Sequence, residues 1–390
     1  MNILLVVNYD INATSFGGEQ RVRLIYEALM QMGDVYVLEA SNHEEKVDGR
    51  HWKFRLDRQR GLRRVVNGIW FRLVTAIYPE GKPKYYPFPL LPEIQHYFPD
   101  VRFDIVVTRH LEFTNRMHPW RVAPLFVDLD DHPMEFFRTC ILPALPRWRR
   151  PFATLMQRLF IWAGLRHATG IWVANPLHER LVSRYGRTTV LQNIPFSLPD
   201  LPPDSHREEY VLTVGRMCYQ PNHRGVNRFI KEVWPQVHRA FPSMRYLVVG
   251  HGVPESLAEE WSHVPGVSVL GFVDDLKDLY AGALATVVPV YSGSGTCIKV
   301  LESLANSRIC LSMEFGVRGI PDSDISSGSC GIFVYKDADD FVSLLGRVVH
   351  DANWRGTQEH SARSYVESHY SRKHFFKQVQ SLICPGEGLQ

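Results

Sequence analysis

Apolar residues along the chain form short runs, and stretches of helical periodicity separate these runs. In the first half the runs have the length and composition of strands that are buried on both faces. They span residues 3–7, 34–40, 103–109, 124–131, 170–175 and 188–193. The segment 21–33 has apolar residues at a helical spacing and ends at Gly33. This alternation predicts a parallel sheet with helices on both faces.

Four prolines interrupt the pattern at residues 194–203, where IPFSLPDLPP predicts a stiff, extended linker. The same alternation then begins again. The new apolar runs are residues 210–215, 245–250, 267–272, 285–290, 309–313 and 331–335, and the helical stretches include 227–241 and 362–383. We therefore predict an α/β chain with two doubly wound domains. Their predicted bounds are 1–195 and 204–355, and a helical segment, 356–390, packs back on the first domain.

The composition fits this organisation. A chain of 390 residues is too long for one hydrophobic core. Hydrophobic residues make up 45% of it and charged residues 22%, as in an ordinary globular protein. The formal net charge of +3 gives no indication of binding to nucleic acid, and we expect no nucleic-acid partner.

The cysteines and histidines indicate neither a metal nor a redox site. None of the six cysteines lies in a CxxC pair, and the 17 histidines show no metal-ligand spacing. Scattered single thiols suit a reducing compartment. The first ten residues, MNILLVVNYD, predict a buried strand and not a signal peptide, and no apolar run reaches the ~18–20 residues of a membrane span. We therefore predict a cytoplasmic protein without a metal or a cofactor.

The stretch YSGSGTCIKVLESLA, residues 291–305, combines a glycine-rich strand exit with the start of a helix. Glycines let backbone N–H groups approach a ligand, and a helix N-terminus attracts anions, so the stretch predicts a diphosphate site. Lys299 would add a positive charge, and Glu302 would accept hydrogen bonds from sugar hydroxyls. The alternative is that Lys299 and Glu302 form a surface ion pair of little energetic weight.

Three other strand exits of the second half converge on the same edge of the predicted sheet. Arg216 ends the first and would neutralise a phosphate, and Gly250 lies in the second, VGHG. Phe272 and Val273 lie in the third and would pack against a nucleobase. The alternatives are a surface arginine for Arg216 and ordinary core packing for Phe272 and Val273.

These residues together resemble a known family. The segments VGR, PNHRGVNRFIKEVWP, VVGHG, GFVDDLKDLYAGALATVVPVYSGSGTCIKVLESLA and GVRGI are similar to the C-terminal domain of family-four glycosyltransferases. The resemblance is continuous over residues 208–350. It is weaker in the first half, at the loop FGGEQR (16–21) and the strand that ends in VDLDD. It implies the GT-B fold, in which two doubly wound Rossmann-like domains face a central cleft, with an acceptor-binding N-terminal domain and a donor-binding C-terminal domain.

The resemblance also implies a nucleotide-diphosphate sugar as donor, with uridine as the common base. Glu302 matches the glutamate that holds the ribose, Arg216 a diphosphate-binding arginine, and Gly17 and Gly18 the glycine loop close to the donor phosphates. The expected donor site comprises Gly17, Gly18, Arg216, Gly250, Phe272, Val273, Gly295, Thr296, Lys299 and Glu302. The helix N-terminus, Arg216 and Lys299 would neutralise the phosphates without a metal ion.

Two positions depart from the family pattern. Many members have a second glutamate eight residues before the first, where this chain has Ser294. Members with a GSGT-like loop also lack that glutamate, which places this chain in that subgroup. Many members also have a lysine five or six residues after the arginine, where this chain has Pro221 and Asn222. We expect Lys299, or Arg224, to supply the missing charge.

FVDLDDHP, residues 126–133, ends a predicted strand of the first half with carboxylates and a histidine. The family often has a histidine here, near the transferred sugar. The sequence leaves open which of Asp130, Asp131 and His132 faces the sugar. The alternative is that Asp130 or Asp131 caps the following helix. The expected catalytic residues are Asp131, His132, Arg216 and Lys299.

Residues 138–168 interleave arginines with aromatic side chains, and residues 60–74 have the same character. Such a pattern favours contact with anionic lipid headgroups at the inner face of the membrane. Many family members use lipid-linked acceptors. The alternative is that the aromatic residues belong to the core and the arginines form a solvated face.

The expected reaction moves a sugar from a nucleotide-diphosphate donor, with UDP as the favoured carrier, to a hydroxyl of a glycan or lipid-linked acceptor. The resemblance implies retention of the anomeric configuration and a role in the synthesis of polysaccharide or cell-envelope glycan. Two alternatives remain open. One is a nucleotide-sugar 2-epimerase of the same fold, which Asp128–Asp131 would serve as acid/base groups. The other is a non-catalytic nucleotide-sugar sensor or scaffold, which Ser294 favours.

Overall fold

The computed structural model describes residues 1–55, 69, 94–199, 207–293 and 297–384. The chain divides into two compact units. Unit 1 comprises Met1–Gln192 and Arg372–Gln390, and unit 2 comprises Asn193–Ser371. Each unit is built around its own sheet, as the restart of the strand–helix pattern after the prolines predicts.

The sheet of unit 1 is parallel except at one edge. Its strands are β1 (Asn2–Val7), β2 (Asp34–Ser41), β3 (Glu45–Lys46), β4 (His51–Arg55), β5 (Ile105–Arg109), β6 (Leu125–Asp130), β7 (Ala168–Val173) and β8 (Thr188–Val190), in the order β3-β4-β2-β1-β5-β6-β7-β8 among the described residues. In the described part of this sheet the β3–β4 pair alone is antiparallel. The sequence patterns did not predict β3 and β4, because these two strands are short and mostly polar.

The main helices of unit 1 cover this sheet. They are α1 (Gly17–Met30), α2 (Leu111–Met117), α3 (Pro133–Phe136), α4 (Arg150–Leu165), α5 (Pro176–Val182) and α14 (Arg372–Ile383). A π-helical turn, Phe137–Ile141, follows α3. The C-terminal helix α14 packs on α1. Strand β1 is buried almost completely, and residues such as Leu4, Val106 and Val127 form the centre of the core.

The sheet of unit 2 is entirely parallel in the described residues. Its strands are β9 (Tyr210–Val214), β10 (Arg245–Val249), β11 (Val267–Gly271), β12 (Ala285–Val288), β13 (Cys310–Ser312) and β14 (Ile332–Val334), in the order β11-β10-β9-β12-β13-β14. Each strand lies in the apolar run that predicted it. The chain runs outward from β9 to β11 and then returns to the other side of β9 with β12.

The helices of unit 2 pack on both faces of its sheet. They are α6 (Gln220–Glu232), α7 (Trp234–Ala240), α8 (Glu255–Ser262), α9 (Lys277–Gly282), α10 (Ile298–Ala305), α11 (Asp322–Ser326), α12 (Ala338–His350) and α13 (Ala352–His369). Two predicted helices are divided. The stretch 227–241 breaks between α6 and α7, where Pro235 lacks the N–H that a continuous helix needs. The stretch 362–383 breaks at Tyr370, between α13 and α14.

Candidate functional site

The strand order of unit 2 reverses at β9, which has β10 on one side and β12 on the other. In open parallel sheets ligands bind beyond the carboxyl ends of the strands at such a reversal. Gly215 and Arg216 follow β9 there, and the segment from Pro289 to Gly293 follows β12 and leads toward α10. Gly295 and Thr296, together with Ser294, lie outside the described residues.

Lys299 lies in the first turn of α10, and its side chain reaches the exit of β9. A Cβ atom built on Gly215 would lie 2.5 Å from Cε of Lys299 and 3.4 Å from its Nζ. The ammonium group and the β9 exit loop are therefore neighbours, although 84 positions separate the two residues along the chain. The first turn of α10 has no side-chain cap, since Cys297 at its N-cap accepts no hydrogen bond there. A cation and backbone N–H groups thus converge where an anion is favoured.

Backbone hydrogen bonds join the exits of β9, β10 and β11. The N–H of Gly215 donates to the carbonyl of Val249 at 2.9 Å, and the N–H of Gly250 donates to the carbonyl of Gly271 at 2.7 Å. Gly250 has a φ of +143°, and a Cβ there would lie 1.7 Å from the carbonyl oxygen of Gly215. Only glycine fits at this position, so Gly250 sets how closely the first two exits approach. The side chain of Arg216 is exposed beside them.

The two residues at the exit of β11 that we expect to contact a base differ in their surroundings. Phe272 is 59% exposed and follows Gly271, whose φ is +70°. Val273 instead packs against the small apolar cluster that contains Tyr210 and Tyr280. The exposed ring of Phe272 is a flat apolar surface at the same edge as Lys299.

Glu302 lies one turn after Lys299 on α10, where Val300, Leu301 and Leu304 are buried against the sheet. Its side chain is half-buried and close to the hydroxyl of Tyr280. Burial, and next the Glu302 carboxylate, raise the pKa of Tyr280 well above its usual value. Lys299 and Glu302 are three residues apart, so the two positions lie on the same side of α10.

The carboxyl edge of the unit 1 sheet contains a buried cluster of charges. Arg21 of α1 contacts Asp128 of β6, with Nη2 2.7 Å from Oδ1. Arg109 of β5 also bonds to Asp128, and its Nη2 lies 2.8 Å from Oδ2 of Asp130. Burial alone would raise the pKa of both carboxyls, but Arg21 and Arg109 hold each pKa below its usual value. Both aspartates are thus fixed as carboxylates.

Two residues at this edge have a strained backbone. His110, directly after β5, and Asp130, at the end of β6, each have a φ of +60°. Residues other than glycine rarely adopt this conformation, and such strain is concentrated at functional sites. Burial, and next Arg109, lower the pKa of His110 to about 4, so that its imidazole is neutral at pH 7.

His132 is the cap of α3, a role that the sequence had left to Asp130 or Asp131. Its Nδ1 accepts a hydrogen bond from the N–H of Met134 at 3.1 Å. Asp130 does not cap because it is bound to Arg109, and the N–H of the half-buried Asp131 donates to the carbonyl of Leu129 at 2.7 Å. His132 is 4% exposed, and burial, then His178, lower its pKa to about 4.

Gly17 and Gly18 begin α1, next to the exit of β1. A Cβ on Gly18 would lie 2.8 Å from the ring of Phe16 and 3.1 Å from that of Tyr9, so a side chain at this position would displace an aromatic ring. Sequence reasoning named these glycines but missed Arg21, four residues further. The sequence does contain an indication of its role, because Arg21 occupies a position where the helical periodicity of α1 predicts an apolar residue. Within the described part of the chain, no group of three metal-ligating side chains is present.

Comparisons with known proteins agree with this architecture. Residues 208–351 match the family described as "Glycosyl transferases group 1". Sucrose-phosphate synthase from Thermosynechococcus elongatus superimposes with a TM-score of 0.68 at 19% sequence identity, over 98% of each chain. The Anabaena protein HepE, solved in complex with UDP, has a TM-score of 0.63 at 12% identity, over 99% of this chain and 100% of that chain.

A third structure, WaaG, is described as a glycosyltransferase involved in lipopolysaccharide biosynthesis. It has a TM-score of 0.61 at 14% identity over the whole of both chains. No curated protein matches this sequence. The predicted resemblance is therefore confirmed in two respects: the chain has the GT-B fold, and its residues 208–351 match the group 1 glycosyl transferases.

Proposed function

We propose that the protein is a retaining glycosyltransferase that moves a sugar from a nucleotide-diphosphate donor, with UDP as the favoured carrier, to a hydroxyl of a glycan or lipid-linked acceptor. The observation that carries this proposal is the position of Lys299. Its ammonium lies beside Gly215 at the exit of β9, where Arg216 is the next residue, and Lys299 belongs to the uncapped first turn of α10. Two cations and a helix N-terminus at one sheet edge suit a diphosphate.

The other donor contacts follow from this placement of the diphosphate. The exposed ring of Phe272 suits stacking on the base, and the Glu302 carboxylate suits hydrogen bonds from the ribose hydroxyls. HepE, which shares the fold, was solved with UDP. These observations favour a uridine nucleotide and support the assignment of unit 2 to the donor.

In the proposed reaction the bond between the anomeric carbon and the β-phosphate oxygen breaks, and a bond to the acceptor oxygen forms on the same face. Negative charge grows on the departing phosphate, and Lys299, Arg216 and the N–H groups of α10 stabilise it. The phosphate takes the proton of the acceptor hydroxyl. In unit 1, His132 would donate a hydrogen bond to the sugar, and Asp131 would accept one.

Donor binding to variants tests the proposal. Removal of a charged partner of a phosphate or ribose costs about 1.5–3 kcal/mol, so Lys299→Met and Glu302→Gln should each raise the Kd of the UDP-sugar at least tenfold in calorimetry. The control is the surface pair of Lys231 and Glu260 in the same unit, 2.8 Å apart, where Lys231→Met should leave the Kd unchanged. Equal affinity in Lys299→Met and wild type would refute the donor site.

Turnover with an acceptor extract separates transfer from the alternatives. Release of UDP that requires acceptor indicates a transferase, conversion of the sugar without acceptor indicates an epimerase, and binding without either indicates a sensor. The configuration of the product determines whether the sugar is transferred with retention. A chelator should leave the rate unchanged if the reaction needs no metal.

The second part of the proposal is that the protein contacts a membrane through α4. Four apolar side chains on one face of α4 and the preceding turn are exposed: Trp148 (70%), Leu155 (53%), Leu159 (44%) and Trp162 (48%). Exposed arginines, including Arg158 and Arg166, flank them. Residues 136–178 contain six arginines and no acidic residue. An apolar stripe in a segment that carries arginines and no acidic residue suits the surface of an anionic bilayer.

Vesicle flotation tests this contact. The wild type should float with vesicles of phosphatidylglycerol and phosphatidylcholine at low salt, and Trp148→Ala/Trp162→Ala should not. Leu270 of β11, which is 43% exposed in unit 2, provides the control substitution Leu270→Ser.

The basic and aromatic stretch 60–74 lies outside the described residues except for Ile69. None of the described helices is both long and apolar enough to cross a membrane.

A further inference from the structure

Two buried imidazoles and a carboxylate connect the exit of β6 to α5. The backbone N–H of His132 donates to Nδ1 of His178 at 3.1 Å. Nε2 of His178 bonds in turn to the carboxylate of Glu135, on the next turn of chain after His132. His178 is completely buried, and the side chain of Glu135 is 19% exposed. A closed ring of contacts thus holds the segment from His132 to Glu135 against α5.

These contacts fix the proton positions of both histidines. Nδ1 of His178 accepts the N–H of His132, so its proton lies on Nε2 and faces Glu135. Nδ1 of His132 accepts the N–H of Met134, so in the neutral ring the proton lies on Nε2. That Nε2 is buried and has no hydrogen-bond partner among the described residues. His132 is therefore a buried N–H donor that lacks an acceptor.

The segment cannot hold this conformation by itself. Helix α3 has only four residues and continues into a π-turn, and helices this short are unstable in isolation. The start of α5 is better anchored. Asn175 is completely buried and caps α5 through a hydrogen bond from the N–H of Leu177 at 2.9 Å. His178, in the first turn of α5, thus extends a rigid element toward the β6 exit.

The titratable groups that face His132 come from both sides. His178 and Arg184 follow β7, while Glu135 and Arg138 follow His132 itself. Burial is the main reason that the pKa of His132 is lowered and its ring stays neutral, and the positive charges of Arg184 and Arg138 act in the same direction. A neutral ring with its proton on Nε2 is a hydrogen-bond donor and suits an oxygen of the substrate.

We infer that Glu135 and His178 are positioning residues, which hold His132 so that its Nε2–H is presented to a hydroxyl or phosphate oxygen of the substrate. This inference rests on the proposed function, in which His132 touches the sugar. Neither Glu135 nor His178 needs to touch the substrate. Their effect on the reaction passes through the backbone N–H of His132 and through the orientation of its ring.

Two substitutions of His178 separate its two hydrogen bonds. In His178→Asn the amide oxygen lies near the former Nδ1 and can accept the N–H of His132, while the contact with Glu135 is lost. In His178→Gln the amide lies near the former Nε2 and can reach Glu135, while the N–H of His132 loses its acceptor. We expect kcat to fall tenfold or more in His178→Gln and less in His178→Asn, with KM for the donor changed less than twofold.

A buried pair elsewhere in unit 1 provides the matched control. Nε2 of His51 lies 3.1 Å from Oε2 of Glu39, and both residues are buried on β4 and β2. His51→Gln removes a buried histidine–carboxylate contact but leaves the β6 exit intact. If His178→Gln and His51→Gln lower kcat equally, in proportion to the folded fraction, the positioning role is refuted.

A second measurement does not depend on turnover. Imidazole ¹⁵N chemical shifts report the tautomer of each histidine. In the wild type His132 should show a single form with the proton on Nε2. In His178→Gln both tautomers should appear, because the backbone of His132 is no longer held by His178 and its ring can turn away from the N–H of Met134. A single Nε2–H form of His132 in folded His178→Gln would overturn the inference even if the protein transfers sugar. Absence of transfer by the wild type with any sugar nucleotide would instead refute the proposed function.

Discussion

Arg21 and Asp128 form a bidentate ion pair in the interior of unit 1. Nε of Arg21 lies 3.0 Å from Oδ2 and Nη2 lies 2.7 Å from Oδ1, and neither side chain is more than 2% exposed. Nη1 of the same guanidinium donates to the carbonyl of Leu191 at 3.0 Å. The Arg21 side chain thus connects α1 and β6 with Leu191, which lies near the end of the first of the two chain segments of unit 1.

Asp128→Asn should destabilise the protein by about 3–5 kcal/mol at pH 7, because it leaves Arg21 and Arg109 buried without their shared carboxylate. Urea denaturation measures the loss. The control is the exposed pair of Arg50 and Asp34 in the same unit, 2.7 Å apart, where Arg50→Gln should cost less than about 1 kcal/mol. A loss in Asp128→Asn no larger than in this control would show that the cluster contributes nothing to stability.

The sequence predicted the strands of unit 2 well because a strand buried on both faces is a continuous apolar run. The run at 285–290, for example, contains β12. Short polar strands give no such signal, and β3 and β4 were missed for this reason. A proline marked the division between α6 and α7, but the helical periodicity on both sides obscured it.

The sequence indicated only those parts of the candidate site whose residues lie close together along the chain. The glycine-rich exit, Lys299 and Glu302 lie within 15 residues, so their pattern indicated phosphate and ribose contacts. The pair of Arg21 and Asp128 joins positions 107 apart, and no spacing reveals such a contact. Likewise, the order of Asp130, Asp131 and His132 could not show which side chain caps α3, because Arg109 decides it by binding Asp130.

Gly225 of α6 lies against the exit of β12, and a larger residue should disturb the segment from Pro289 to Gly293. A Cβ at this position would lie 1.9 Å from the backbone oxygen of Pro289, so Gly225→Ala forces the backbone to move. We expect a loss of about 1–3 kcal/mol in stability, together with weaker binding of the nucleotide. Thermal and chemical denaturation with calorimetry measure both effects.

A second glycine of unit 2 controls for the change in helix propensity. Gly356 lies within α13, and no atom is within 4 Å of a Cβ built there. Gly356→Ala should therefore stabilise the protein by about 0.5–1 kcal/mol. If Gly225→Ala were also stabilising, the close packing of α6 on Pro289 would be disproved.

Gly215→Ala should weaken donor binding with little loss of stability. The new Cβ would lie 2.5 Å from Cε of Lys299, and the end of a lysine side chain can move aside at small cost. Displacement of the ammonium from the β9 exit should raise the Kd of the UDP-sugar severalfold. In the Lys299→Met background the same substitution should have no further effect, since the two changes act on one contact. Additive losses in the double variant would show that Gly215 acts independently of Lys299.

His132 should make stability depend on pH in the mildly acidic range. Its pKa is about 4 in the folded protein and roughly 6.5 in the unfolded chain. Between these values only the unfolded chain takes up the proton, so the free energy of unfolding falls as pH falls, by up to about 1.4 kcal/mol per pH unit. In His132→Asn the amide oxygen can still cap α3, but the titrating group is absent. The Tm of the wild type should therefore decline more steeply than that of His132→Asn between pH 6.5 and 4. Parallel curves would mean that His132 is protonated equally in both states.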